Sequence, residues 1–147
     1  MEEEIKFKHF TPVQIRFSDV DQFGHVNNSV YFSLYDLAKT TYYKDVSEQR
    51  ERGGQVIVVA NINGDFYEPL RFTAEKEIAT TAIQLGNKSF TLMQHAIAKN
   101  TGEVKCECRT ILVMYDLLTK EPMPIPQKYK DAMCQFEGKS LEELSKK

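Results

Sequence analysis

The chain has 147 residues, 41% of them hydrophobic and 27% charged, which suits one packed domain and argues against disorder. The formal net charge of −2 comes without a long basic run, so a nucleic-acid backbone is not the expected partner. The opening MEEEIKFKHF is acidic and lacks an apolar run, and the longest apolar run, Val56–Ala60, is too short to cross a bilayer. The expectation is a cytoplasmic protein with no secretory signal and no membrane insertion.

Thr11 to Phe17 alternates, with Val13, Ile15 and Phe17 on one side and Gln14 and Arg16 on the other, the period of a half-buried strand. Pro12 near its start suits a strand end or an edge. Ser18 to Asn28, SDVDQFGHVNN, is polar and turn-rich. A helix is predicted from about Ser29 to about Asp45, with Asn27 or Asn28 as its N-cap. Val30, Leu34, Leu37, Ala38 and Thr41 recur at helical spacing, and Tyr31, Tyr35 and Tyr42 lie on a neighbouring stripe. Such broad apolar coverage predicts a largely buried helix. Ser47 to Gly54 is a charged connection.

Four strands are predicted next: Val56–Asn63, Thr73–Leu85, Ser89–Lys99 and Glu103–Tyr115. Asp65 to Phe72, DFYEPLRF, reads as a strand-end bend. Gly86-Asn87 and Asn100-Thr101-Gly102 are turn signals. In the last strand Val104, Cys106, Cys108, Thr110, Leu112 and Met114 share a face. Pro122, Pro124 and Pro126 stop a further ladder, because each lacks an amide donor. Gln127 to Phe136 reads as an amphipathic helix with Pro126 in its first turn, and Gly138 ends it. Ser140 with Glu143 is a capping-box pattern for a final short helix.

With neither internal repeat nor linker, the chain reads as a single domain over residues 1–147, with a short helical tail from about 127. Its class is α+β, with a five-stranded antiparallel sheet packed on one long helix. There are three cysteines, an odd number. Cys106 and Cys108 share a strand face and make poor disulfide partners, so reduced thiols are expected. Cys106-Glu107-Cys108 lacks a second pair, and His9, His25 and His95 lie far apart, so no metal is expected.

The polar loop is where chemistry is expected. It delivers acids to the start of a helix, whose first amides have no internal partner and whose dipole adds positive charge. Such an end can polarise a carbonyl on its way to becoming an anion. The loop reads D-x-D-x-x-G-H-V-N-N-x-x-Y at Asp19, Asp21, Gly24, His25, Val26, Asn27, Asn28 and Tyr31, eight positions over thirteen residues. In this it resembles the hotdog-fold acyl-CoA thioesterases of the 4-hydroxybenzoyl-CoA thioesterase type. The resemblance implies a hotdog fold, in which the sheet wraps the central helix and two subunits join their sheets. It implies acyl-CoA as substrate, self-association as a homodimer or homotetramer, and no metal or redox cofactor.

By this resemblance Asp21 falls on the catalytic carboxylate, as base or nucleophile, and Asn28 falls where a backbone N–H polarises the thioester oxygen. Read without it, Asp19 and Asp21 are turn residues that order a tight loop. With it, catalysis is expected of Asp21 and a structural role of Asp19. His25 is a candidate base, or orients water or Asp21, or holds the loop by hydrogen bonding. One branch of the family places a histidine seven residues after the aspartate, where this chain has Asn28, so that role does not carry over. Another draws a glutamate from the long helix, which here has no glutamate and offers Asp36 in its middle.

Gly24 is expected to permit a positive φ or a close approach of substrate, and Tyr31 to contact substrate. Members of this branch carry a stretch similar to Tyr67-Glu68-Pro69-Leu70-Arg71 here, read as a bend or as an acyl-pocket wall with Glu68 a second carboxylate. Lys88 and Ser89 fall where the family contacts the phosphates of CoA, and Lys88 otherwise reads as an exposed hairpin lysine. Arg71 and Arg109 are weaker phosphate candidates. The function expected is acyl-CoA hydrolysis. The alternatives are a non-catalytic acyl-thioester binding module and a thioesterase acting on acyl carrier protein.

Overall fold

The computed structural model describes residues 5–46 and 55–145. In chain order they form β1 (His9–Val13), a 3-10 turn (Phe17–Asp19), α1 (Asn28–Val46), β2 (Gln55–Phe66), β3 (Lys76–Leu85), β4 (Ser89–Ala98), β5 (Glu103–Asp116), β6 (Glu121–Pro122), α2 (Gln127–Glu137) and α3 (Leu141–Ser145). The strands form an antiparallel sheet in the order β1-β3-β4-β5-β2, and the two-residue β6 adds to β5. The three prolines therefore admit one short rung before the ladder stops. Ser47 to Gly54, the charged connection, lies outside the described residues.

β1 begins two residues before the predicted strand and ends at Val13. Its register on β3 runs from His9 opposite Thr80 to Val13 opposite Lys76. His9, Thr11 and Val13 point inward, and Pro12 takes an outward position on this edge strand. The predicted extension to Phe17 is overturned: Phe17 is 82% exposed. Asp19 turns the chain there, accepting from the Arg16 amide at 2.7 Å and from its guanidinium at 3.1 Å.

α1 contains neither glycine nor proline and starts behind an N-cap. Asn27 is that cap, its Oδ1 accepting from the Ser29 amide at 3.0 Å. The buried stripe is Tyr31, Leu34, Tyr35, Ala38 and Tyr42, one row away from part of the expected one. Leu37 is 52% exposed, which corrects the expectation of a largely buried helix.

The chain divides into two compact units. The first takes the described residues up to Tyr42, Gly64–Thr81 and Gln94–Cys108. In its core Tyr31, Leu34, Tyr35 and Ala38 of α1 pack with Ile78, Ala96, Ala98, Cys106 and Cys108 of the sheet. Buried Gln94 ties sheet to helix, donating to the Tyr35 carbonyl and to Thr80 Oγ1, each at 3.1 Å.

The second unit takes Tyr43–Asn63, Ala82–Met93 and the described residues from Arg109 onward. The Glu137 carboxylate of α2 accepts the Ala82 amide of β3 at 3.0 Å. Pro126 is the residue before α2 rather than in its first turn, and Gly138 ends the helix at φ 68°. Ser140 and Glu143 form the reciprocal capping box, each amide donating to the other's side chain at 3.1 Å. None of the three cysteines is in a disulfide; Cys106 and Cys108 are buried and Cys134 half-buried. No helix among the described residues is long and apolar enough to cross a membrane.

Candidate active site

Val20 and Val26 form an antiparallel bridge, and the residues between them make a tight hairpin. The Asp21 amide donates to the His25 carbonyl at 2.9 Å, and the Gly24 amide donates to the Asp21 carbonyl at 3.0 Å. Gly24 sits at φ 78°, the left-handed residue that such a three-residue turn needs. A Cβ there would meet nothing within 4 Å, so the demand for glycine is conformational.

Inside this hairpin Asp21 Oδ1 accepts two amides, Phe23 at 2.9 Å and His25 at 3.1 Å. Its other oxygen has no partner among the described residues. The residue is exposed. One oxygen thus orders the turn and the other is open to a ligand, so the turn-forming and chemical readings of Asp21 coexist in one side chain. Asp19 is spent on Arg16, and those hydrogen bonds, the amide first, hold its carboxyl below the usual range.

The hairpin is fixed to the rest of the first unit by backbone bonds. The Val26 amide donates to the Leu70 carbonyl at 2.7 Å, the Phe72 amide to the Gly24 carbonyl at 3.2 Å, and the Asn27 amide to the Asp19 carbonyl at 2.9 Å. His25 bridges Arg71 through its backbone. The Leu70 amide, buried, donates to the Tyr31 hydroxyl at 3.2 Å. His25 therefore holds the loop with its main chain, while its ring nitrogens have no partner among the described residues. After Val26 and the cap Asn27 comes the start of α1, where the Asn28 amide takes no acceptor among the described residues.

These pieces line a pocket of about 380 Å³. Asp21, His25, Val26, Asn27, Asn28 and Tyr31 form one side, and Phe66, Tyr67, Glu68 and Pro69 form the other. The second side rests on β5: the Tyr67 and Glu68 amides both donate to the Lys105 carbonyl, at 2.9 and 3.2 Å. Glu68 also pairs with the Lys105 ammonium at 2.7 Å, and this hydrogen bond holds the Glu68 carboxyl below its ordinary range. The pair therefore persists as pH falls until it drops below that range. A carboxylate so engaged is a weakened base.

Of the residues expected to act together, Asp21, His25, Asn28, Tyr31 and Glu68 meet in this pocket. Gly24 shapes the loop without lining it. Lys88, in the β3–β4 turn, and Ser89, the first residue of β4, belong to the second unit and are not among the lining residues. Arg71 and Arg109 are exposed and do not line it either. Phe66, not singled out in the sequence, joins the wall because β2 runs on to it.

A family model described as the thioesterase-like superfamily matches residues 15–133, a span that contains every lining residue. The chain belongs to the thioesterase-like superfamily. Its α+β sheet and central helix form the hotdog fold. Among similar thioesterase-like chains is the thioesterase of Thermus thermophilus solved in complex with coenzyme A and Zn. It is 29% identical with a TM-score of 0.79, over 92% of this chain and 98% of that one. The acyl-CoA thioester hydrolase YbgC of Escherichia coli is 27% identical over 120 residues, 79% of this chain and 88% of YbgC. The uncharacterized protein YsmA of Bacillus subtilis is 29% identical over 100 residues, 68% of this chain and 67% of YsmA. Among the described residues of this chain, no three His, Cys, Asp or Glu side chains gather into a metal-binding group.

Proposed function

We propose that this chain hydrolyses acyl-CoA thioesters to the free acid and CoA. The observation that carries the proposal is the presence in one pocket of the Asp21 carboxylate, one oxygen open, and the first amide of α1 at Asn28. The substrate carbonyl accepts that amide, helped by the helix dipole, so negative charge growing on the oxygen is stabilised. Asp21 either takes a proton from the attacking water or attacks the carbonyl carbon itself, the acyl-enzyme then being opened by water. In both routes the C–S bond breaks, the CoA sulfur leaves as thiolate and collects a proton, and water supplies the oxygen of the new acid. The thioesterase relatives and the CoA complex of the Thermus chain support this reading.

Thiol release from a panel of acyl-CoAs, short to long and aromatic, tests it. Turnover that peaks within the panel is the expected result. A folded protein that releases no thiol from any member sinks the reading in favour of acyl carrier protein thioesters or a binding module.

The same reading includes self-association. β2 ends the sheet, is twelve residues long, and exposes Val58, Val59 and Ile62. An open strand of that length is normally covered, and the β2 of a second copy is the partner proposed. Light scattering on the eluting protein should give a dimer or tetramer, and a monomer would refute the assembly.

A further inference from the structure

Behind the pocket wall lies a hydrogen-bonded chain that no step above uses. Tyr67, 56% exposed, is one of the residues that line the pocket. Its hydroxyl donates to Glu107 Oε2 on β5 at 3.1 Å. The other oxygen of that carboxylate, Oε1, is 2.9 Å from His95 Nε2 on β4. The His95 ring packs against Phe7, with centroids 4.6 Å apart. Both Glu107 oxygens are thus engaged, one on each side, and the carboxylate cannot swing away from Tyr67 without giving up His95.

We propose that Glu107 and His95 are positioning residues that act through Tyr67 to set the acyl-pocket wall. A tyrosine more than half exposed has several rotamers open to it. A bond from its hydroxyl to a charged acceptor selects one, and charge-assisted bonds are the strong ones. Neither Glu107 nor His95 lines the pocket, so they reach substrate only through the ring. The neighbouring Glu68–Lys105 pair braces the same wall, but Glu68 is 58% exposed and such pairs hold weakly in water. The Tyr67–Glu107–His95 chain, whose last two side chains are 16% and 27% exposed for His95 and Glu107, is the better anchor.

This inference rests on the acyl-CoA reading, and its test separates the two. Tyr67→Phe, Glu107→Ala, Glu107→Gln and the Tyr67→Phe/Glu107→Ala double variant are compared with the parent. KM and kcat are measured, and so is the affinity for a non-hydrolysable thioether analogue of the preferred acyl-CoA. Tyr67→Phe and Glu107→Ala should each raise KM and weaken the analogue about five-fold with kcat within about two-fold, and the double variant should be no worse than either. Glu107→Gln, whose amide oxygen still accepts the tyrosine hydroxyl, should recover most of the loss. Tyr67→Phe removes a single surface oxygen, so it keeps the test alive if Glu107→Ala does not fold. A parent that turns over with Tyr67→Phe unchanged overturns the positioning role alone, as do effects that simply add. A parent that neither binds nor cleaves any acyl-CoA overturns the function and this role together.

Discussion

Asp21→Asn should lower thioester turnover by about 100- to 10,000-fold, the range typical for loss of a proton-transferring group, with folding unchanged. The prediction is sharp because Asp21 has two jobs. Its Oδ1 orders the hairpin through the Phe23 and His25 amides, and asparagine keeps an oxygen able to accept both. The substitution therefore preserves the turn and removes only the charge and the open oxygen. Asp21→Ala, by contrast, removes the turn as well and should lose stability along with activity. Equal turnover in Asp21→Asn and the parent would show that the residue is only a turn former.

The largest stability effect near the site is expected at Tyr31. The residue is 2% exposed, packs edge-on to Phe66 with centroids 5.2 Å apart, and accepts the Leu70 amide through its hydroxyl. Tyr31→Ala should cost about 3–5 kcal/mol, the usual loss for truncating a large buried ring. Tyr31→Phe keeps the ring but strands the Leu70 amide, and should cost about 1–3 kcal/mol. Leu70 in turn holds Val26 at 2.7 Å, so the phenylalanine variant should also loosen the Asp21 hairpin and reduce kcat. Urea unfolding beside steady-state kinetics checks both. A Tyr31→Phe variant as stable and as active as the parent would show that this hydroxyl does not tie the pocket's two sides together.

Local signals in the chain were enough for most of the architecture. The turn at Gly86-Asn87, the Ser140–Glu143 box, the Gly138 stop and the alternation on β5 each depend on a few neighbouring residues, and each is found where predicted. β1 was misplaced because Ile15 and Phe17 continue the alternation, while the Arg16–Asp19 bonds that break it leave no period-two signal. On α1 two apolar stripes compete at nearly the same spacing, and only tertiary packing selects the tyrosine row over Leu37. The chemical half of the pocket was legible because Asp21, Gly24 and Asn28 sit in one stretch. Its other half, Tyr67 to Arg71, read equally as a bend or as an acyl-pocket wall. What secures that half, Lys105, Glu107 and His95, comes from strand register between segments as much as forty residues apart.

The buried thiols have a practical consequence. Thiolate, not thiol, attacks disulfide reagents. Burial pushes the Cys106 thiol up to about 11, so near pH 7 only about one molecule in ten thousand carries the reactive form there, before access is considered. Cys134 is also pushed up, first by its desolvation. A chromogenic disulfide added to the native enzyme should therefore draw little colour from Cys106, and colour from that thiol would mark unfolding rather than catalysis.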